Sequence, residues 1–243
     1  MSRVAESVDY HGRDLEAMSF ASNYHSWILE LFQPYLGARV VEVGAGTGLF
    51  SELLLRRDPE TLTLVEPSSM YDQLVERIGK LPTASRVQTH NSTFSRVADR
   101  IRDETQPDSI VYVNVLEHVV DDEAELAVVH ATLSCAGRLF VFVPALSWLY
   151  GSFDEMVGHH RRYSRRELEG KIERSGFCVL KSIYFDLAGI VPWWLQYRLL
   201  RSRRMEPEAV KFYDRFCVPW LKKVETFASP PIGKNLLLVA ERK

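Results

Sequence analysis

The sequence predicts the α/β class: a mainly parallel, seven-stranded sheet with helices on both faces. Three observations predict it. Short β-branched runs alternate with amphipathic helical stretches along most of the chain, as expected where parallel strands are joined by crossover helices. The connections between successive runs are long enough for such helices. A glycine-rich turn, Gly44-Ala45-Gly46-Thr47-Gly48, follows the first run directly and leads into an apolar helical stretch.

In order along the chain, residues 1–36 stand outside the alternation and read as helical, with Trp27, Ile28, Leu31 and Phe32 at helical spacing. Strand runs follow at 39–43, 61–65, 86–89, 109–115, 138–143, 177–185 and 235–241. After the first, Phe50, Leu53 and Leu54 make an apolar face that Asp58-Pro59 stops. After the second, Ser68 reads as the N-cap of a helix carrying Tyr71, Leu74, Val75 and Ile78 on one face and ending at Gly79. Asp121, Asp122 and Glu123 suit the positive end of the helix that carries Leu126 and Val129 and closes near Gly137. Ser164 and Glu167 form a capping box for the helix that stops at Gly176. Residues 187–230 depart from the alternation again: Tyr213, Phe216, Cys217, Trp220, Leu221 and Val224 recur at helical spacing, with Pro219 placed to bend them. The reading is one domain over residues 1–243, with 1–36 as an N-terminal helical lid and 187–230 as a helical insertion before the last strand.

With 46% hydrophobic and 26% charged residues over 243 positions, the composition is that of a globular protein and excludes a largely disordered or collagen-like chain. The longest apolar stretches, near 139–150 and 187–195, are broken by Pro144 and Pro192 and are too short to span a bilayer. Cys135, Cys178 and Cys217 have neither the spacing of a zinc site nor the even count of a disulfide framework, and no metal is expected. Residues 1–20 carry Asp9, Arg13, Asp14 and Glu16 with no apolar core of a secretory signal, so the expected location is cytoplasmic. Thirty basic residues against thirty-two acidic ones give a net charge of −2, which supplies no global field for gripping nucleic acid.

The glycine turn carries the sharpest chemistry. A dinucleotide fingerprint, Gly-x-Gly-x-x-Gly, needs its third glycine where this chain has Leu49. The strand also places Glu42 just ahead of the turn, a poor neighbour for a dianionic pyrophosphate. S-adenosylmethionine, which bears a sulfonium and an ammonium, meets that carboxylate favourably. Glu66 ends the second strand, about where an acid accepts hydrogen bonds from both ribose hydroxyls.

Taken together, Glu42-x-Gly44-x-Gly46-x-Gly48, Glu66 and Asn114-Val115-Leu116-Glu117-His118 resemble the first motif, ribose acid and post-strand-four motif of the class I S-adenosylmethionine-dependent methyltransferases. The resemblance covers residues 20–243, and the Leu-Glu-His step is similar to the small-molecule branch that includes ubiquinone-biosynthesis O-methyltransferases. It implies a Rossmann-like sheet with the last strand antiparallel, S-adenosylmethionine as cofactor and S-adenosylhomocysteine as product. It implies further that the backbone of Gly44, Ala45, Gly46 and Gly48 lies against the methionine portion, with Pro67 and Met70 beside the adenosine. Asn91, Ser92 and Thr93 would hold the adenine edge, and Asn114 and Val115 would complete the cofactor pocket. The chain departs from the family in lacking an Asp frequent in the 91–93 loop and in having Asn114 where Asp is frequent.

Methyl transfer from a sulfonium is an in-line displacement, so orienting the reactants is the main task of the protein. Where the acceptor must lose a proton, His118, after the fourth strand, is a candidate base, or else it shapes the pocket or caps the next helix. The cluster His159-His160-Arg161-Arg162-Tyr163 fits an anionic acceptor, with His160 as a second candidate base, or else it is a solvated basic loop. Tyr24, Trp148 and Tyr150 are candidates for an apolar pocket wall. Trp193-Trp194 beside Arg198, Arg201, Arg203 and Arg204 reads as a lid helix with a basic tail, the other reading being peripheral membrane contact through 190–204. The expected function is methyl transfer to O, N or C of a small metabolite, anionic or apolar. The alternatives are a nucleic-acid or lipid-directed methyltransferase and a non-catalytic S-adenosylmethionine-binding module. Nucleic acid is disfavoured by charge and by the lack of an Asn/Asp-Pro-Pro-aromatic step after strand four.

Overall fold

A computed structural model describes residues 21–243. Seven strands form one sheet: β1 (Arg39–Val43), β2 (Thr61–Val65), β3 (Val87–His90), β4 (Ser109–Val113), β5 (Arg138–Pro144), β6 (Phe177–Phe185) and β7 (Asn235–Arg242). Their order is β3-β2-β1-β4-β5-β7-β6. The first five run parallel, whereas β7 lies antiparallel between β5 and β6. The chain leaves β1 toward one edge and returns to β4 on its other side. That reversal opens a crevice outside the carboxyl ends of β1 and β4, where open α/β sheets bind ligands.

Helices α1 (Ser22–Phe32), α2 (Leu49–Leu55) and α3 (Tyr71–Gly79) cover one face. Their Ile28, Phe32, Leu54 and Leu74 pack with Leu62, Leu64, Phe140 and Phe142 of the strands. Helices α4 (Phe94–Thr105), α5 (Asp122–Thr132), α6 (Ser152–Val157) and α7 (Arg165–Arg174) follow in the chain. Of these, α4, α5 and α7 cover the opposite face, where Ile101, Val129 and Ile172 pack on Ile110, Leu139 and Val141. Coverage from both sides explains why the central strands read as nearly continuous apolar runs rather than alternating ones. Complete burial of Ile28 and Phe32 stabilises the fold by about 1.5–3 kcal/mol each.

Several expected boundaries move, for local reasons. The fourth strand stops two residues before 115, because Asn114 takes a positive φ of 54° and the chain enters a 3-10 turn at Leu116–His118. An Asn side chain tolerates that left-handed conformation better than most. Ser68 does not cap α3. Its hydroxyl accepts from the Met70 N–H at 3.2 Å, a turn ahead of the helix. Asp121 and Ser164 do cap α5 and α7, accepting from the Ala124 and Glu167 N–H groups.

Residues 187–230 form a helical cap. Helix α8 (Ile190–Trp193) runs into a π-helical turn, Trp194–Leu199. Helix α9 (Pro207–Phe212) runs through a second π turn, Tyr213–Cys217, into α10 (Val218–Phe227). Pro219 begins α10 instead of bending it, at a first-turn position where no backbone N–H is needed. Asp214 joins the cap to α1 by accepting from the N–H groups of Asn23 and Tyr24 at 3.0 and 2.9 Å. The expected helix over 1–36 is seen as α1; its first twenty residues lie outside the described residues.

Candidate functional site

The site begins at the turn after β1. The N–H groups of Gly44 and Ala45 donate to the Val65 carbonyl at 2.8 and 3.2 Å. Gly44 has a φ of +72°, and a Cβ there would fall 2.3 Å from Cγ2 of Val115, so only glycine fits between β1 and the loop after β4. Glu66 receives the Gly46 N–H at 2.7 Å on one carboxylate oxygen and the Ser68 N–H at 2.8 Å on the other. The acid thus ties the β1 and β2 turns together and keeps lone pairs for a ligand.

Glu42 lies beneath this turn, buried, with the Ser51 hydroxyl donating to it. No lysine or arginine pairs with it among the described residues. Burial pushes its carboxyl up to about 8, the Ser51 hydrogen bond pulls the other way, and the charge of Glu66 adds to the rise.

Glu42, Glu66 and the turn open onto one cavity of about 580 Å³. Its far wall is apolar: Tyr24, Phe142 and Phe153, with Trp193 and Tyr197 contributed by the cap. Lys234 brings a cation there, its ammonium 5.2 and 5.3 Å from the Tyr24 and Trp193 ring centroids and 2.9 Å from Asp186. His118, His159 and Arg162 form the side nearest the β4 loop. Burial drives His118 down to about 3, helped by neighbouring His159, which keeps its ring neutral and makes it a weak base at neutral pH. Glu117 lies behind the histidines, fully buried; burial raises it to about 7 against the opposing pull of His159 and Arg162.

The structure gathers only part of the expected set. Gly44, Ala45, Gly46, Glu66, Pro67, Thr93, Asn114 and Val115 line the cavity with Glu42, while Gly48, Met70, Asn91 and Ser92 do not. Gly48 is the N-cap of α2 with a φ of 84°, and Met70 is the buried N-cap residue of α3. Among the expected acceptor residues, Tyr24, His159 and Arg162 reach the cavity.

The remaining expected acceptor contacts fall outside the cavity. His160 is exposed, and its N–H donates to the Glu117 carbonyl. Trp148 is half exposed, and Tyr150 donates its hydroxyl to the His159 carbonyl at 2.7 Å. The basic charges are already matched. Arg161 pairs with Asp122 at 2.9 Å, Arg162 donates to Asp154 at 2.8 Å, and the Tyr163 hydroxyl donates to Asp122 at 2.8 Å. The arginines therefore brace the loop, and Lys234 is the cation set among the aromatic residues of the cavity wall. Its only sequence signal is a lone lysine just ahead of the last strand.

The segment 190–204 faces both ways. Trp193 and Tyr197 turn inward, whereas Trp194, Leu195, Leu199 and Leu200 are exposed. Among the described residues no helix is long and apolar enough to cross a membrane.

A family model described as a methyltransferase domain matches residues 16–182. No curated protein matches the chain in sequence. Solved structures share the fold at low identity. An S-adenosylmethionine-dependent methyltransferase from Archaeoglobus fulgidus is 18% identical, with a TM-score of 0.62 over 94% of this chain and 98% of that one. A possible histamine N-methyltransferase from Thermotoga maritima is 17% identical, with a TM-score of 0.59 over 94% of each chain. The 1,6-didemethyltoxoflavin-N1-methyltransferase of Burkholderia thailandensis, solved with bound 1,6-didemethyltoxoflavin and S-adenosylhomocysteine, is 17% identical, with a TM-score of 0.57 over 100% of this chain and 93% of that one.

Proposed function

The chain belongs to the methyltransferase-domain family, and from that premise we propose that Glu42, the turn at 44–46 and Glu66 hold S-adenosylmethionine against an acceptor bound under the cap. The cofactor supplies an electrophilic methyl group on a sulfonium. One observation carries the assignment of the holding residues: a buried, unpaired acid and a strand-end acid flank a positive-φ glycine turn at the sheet's switch point, and all three open onto one cavity. A ligand ammonium supplies the cation Glu42 lacks. The free lone pairs of Glu66 suit ribose hydroxyls, and Pro67 and Thr93 suit the nucleoside side. Asn114 and Val115 close the pocket from the β4 loop.

The acceptor is a small metabolite methylated on O, N or C. The aromatic wall of Tyr24, Phe142, Phe153, Trp193 and Tyr197 supports an apolar or aromatic body, and Lys234 supports an anionic group. Helix α1 and the cap exclude water and align the acceptor with the methyl group, where proximity accounts for most of the rate. Calorimetry with S-adenosylmethionine, S-adenosylhomocysteine and NAD tests the cofactor site: binding of the first two is expected, and binding of NAD alone overturns it. Methyl-labelled cofactor incubated with whole-cell extract is expected to yield labelled small metabolite. Label confined to nucleic acid supports the nucleic-acid alternative, and binding without transfer the non-catalytic module.

A lipid-directed reading has its own support. The outer face of the cap exposes Phe212, Phe216, Trp220 and Phe227 at 61, 53, 71 and 93%, interleaved with Lys211, Arg215, Lys222 and Lys223. Aromatic and basic residues in this pattern suit an anionic bilayer surface. Cosedimentation with phosphatidylglycerol vesicles, lost in phosphatidylcholine and in Phe216→Ser/Trp220→Ser, is the expected result. Equal recovery with and without vesicles rejects it.

A further inference from the structure

Glu117, His118 and His159 each offer a ligand atom, and the three atoms lie within 4.8 Å of one another. Glu117 is fully buried, yet neither of its carboxylate oxygens has a hydrogen-bond partner among the described residues. The His159 Nε2 stands 3.8 Å from Oε1. A buried carboxylate in that condition is costly and calls for a physical reason.

The histidines are held from behind. His159 donates from Nδ1 to Asp154 at 2.8 Å. Asp154 is itself fixed by the Arg162 guanidinium at 2.8 Å and by the Gly151 N–H at 2.9 Å. His118 hydrogen-bonds the backbone of Gly158. A carboxylate or carbonyl behind each imidazole sets its tautomer and turns the opposite nitrogen outward, as around histidines that ligate metals. The two rings meet edge to face with centroids 4.6 Å apart. Both line the cavity and Glu117 does not, so a cation among the three has protein on one side and the acceptor space on the other.

We propose that Glu117, His118 and His159 bind a divalent first-row metal ion of the zinc type, whose open coordination position faces the cavity and takes an oxygen of the methyl acceptor. Two imidazoles and one carboxylate suit such ions and leave a position for substrate. Ligand bonds of about 2.0–2.2 Å require the three side chains to close in by roughly an ångström, within reach of a rotation of the Glu117 carboxylate and the His118 ring. The acceptor assignment rests on the methyltransferase reading, whereas the metal site does not.

The test uses the full chain after chelator treatment. Titration with Co²⁺ is expected to give visible d–d bands at one equivalent, more intense than those of the hexaaqua ion, and Zn²⁺ is expected to displace them. Glu117→Gln and His159→Gln are each expected to weaken Zn²⁺ binding at least 100-fold, with circular dichroism and S-adenosylhomocysteine affinity unchanged. If either variant fails to fold, the other decides. Bands no stronger than those of aqueous Co²⁺, or wild-type Zn²⁺ affinity in a folded variant, overturns the site. Metal binding without S-adenosylhomocysteine binding in the same samples would retain the site and reject the methyltransferase reading. With metal bound, a catechol or hydroxy-acid probe is expected to shift the Co²⁺ bands, and bands that no such oxygen donor shifts overturn the acceptor position.

Discussion

Glu42 gives a sharp test of the cofactor site, because its expected charge differs between the empty and the loaded protein. Its carboxyl is held at about 8 by burial. At pH 7 it is therefore ionised in about one molecule in eleven. A ligand ammonium seated beside it requires the carboxylate form, so binding at pH 7 expels about 0.9 proton. The ligand's own α-amino group, with an ordinary value of about 7.7–8.0, takes up about 0.1 proton in becoming fully charged. The net expectation is release of about 0.8 proton per S-adenosylhomocysteine bound. Calorimetry at pH 7 in phosphate and in Tris measures it, since the observed enthalpy then depends on the ionisation enthalpy of the buffer. Affinity is expected to rise about eightfold from pH 6 to pH 7, as the ionised fraction grows. In Glu42→Gln the release disappears, leaving slight uptake, and the pH dependence of affinity goes with it. The stability of the empty protein carries the matching sign. A folded-state value above the unfolded one means that the neutral acid's contribution is fully present below about 4.5 and is lost as pH rises through about 8. Glu42→Gln should therefore gain stability relative to wild type between pH 5 and pH 8. Equal enthalpies in both buffers for the wild type, with affinity flat across this range, would refute the placement of an ammonium at Glu42.

Three further outcomes follow from the same geometry. Glu66→Gln replaces one acceptor oxygen with an amide that faces the Gly46 or Ser68 N–H; S-adenosylhomocysteine should bind about 10–100-fold more weakly by calorimetry, the worth of one or two hydrogen bonds to a charged group. Gly44→Ala sets a Cβ against Val115 at a positive φ and should cost about 1–3 kcal/mol in urea unfolding, part of which Gly44→Ala/Val115→Ala recovers because the two positions touch. Asp186 is fully buried beside Lys234 and Tyr213; burial alone would raise its carboxyl, but the Lys234 charge and the Tyr213 hydrogen bond hold it below the ordinary value. Its stabilisation is thus present above the unfolded value and lost as pH falls through the folded one. Asp186→Asn should cost about 3–5 kcal/mol at pH 7 by leaving Lys234 without its counter-ion, and the difference from wild type should shrink below about pH 4.

Both the fold and the place of the two acids at the cavity were legible because the relevant physics is local. Glu42 and Glu66 each sit within a residue or two of a strand end, and a strand's carboxyl end in a parallel sheet is already a position in space. The basic loop at 159–163 was legible only in part, because its charges are cancelled by residues elsewhere in the chain. Arg161 and Arg162 read as anion ligands, yet Arg162 is buried against Asp154 and Arg161 reaches back to Asp122 on α5. A buried guanidinium must be paired, but sequence alone does not say with what. The loop folds back because the Tyr163 N–H donates to the Pro144 carbonyl and the His160 N–H to that of Glu117. This return brings His159 against Glu117 and His118 and leaves His160 exposed, outside the cavity. Lys234 was missed for the converse reason. It has a partner in Asp186 but keeps an aromatic face on either side, so it remains at the cavity wall while more conspicuous arginines are used up in the scaffold. At this site the decisive quantity is how much of each charge is met by a long-range partner: Arg161, Arg162 and Lys234 have Asp122, Asp154 and Asp186, whereas no lysine or arginine among the described residues pairs with the buried Glu42.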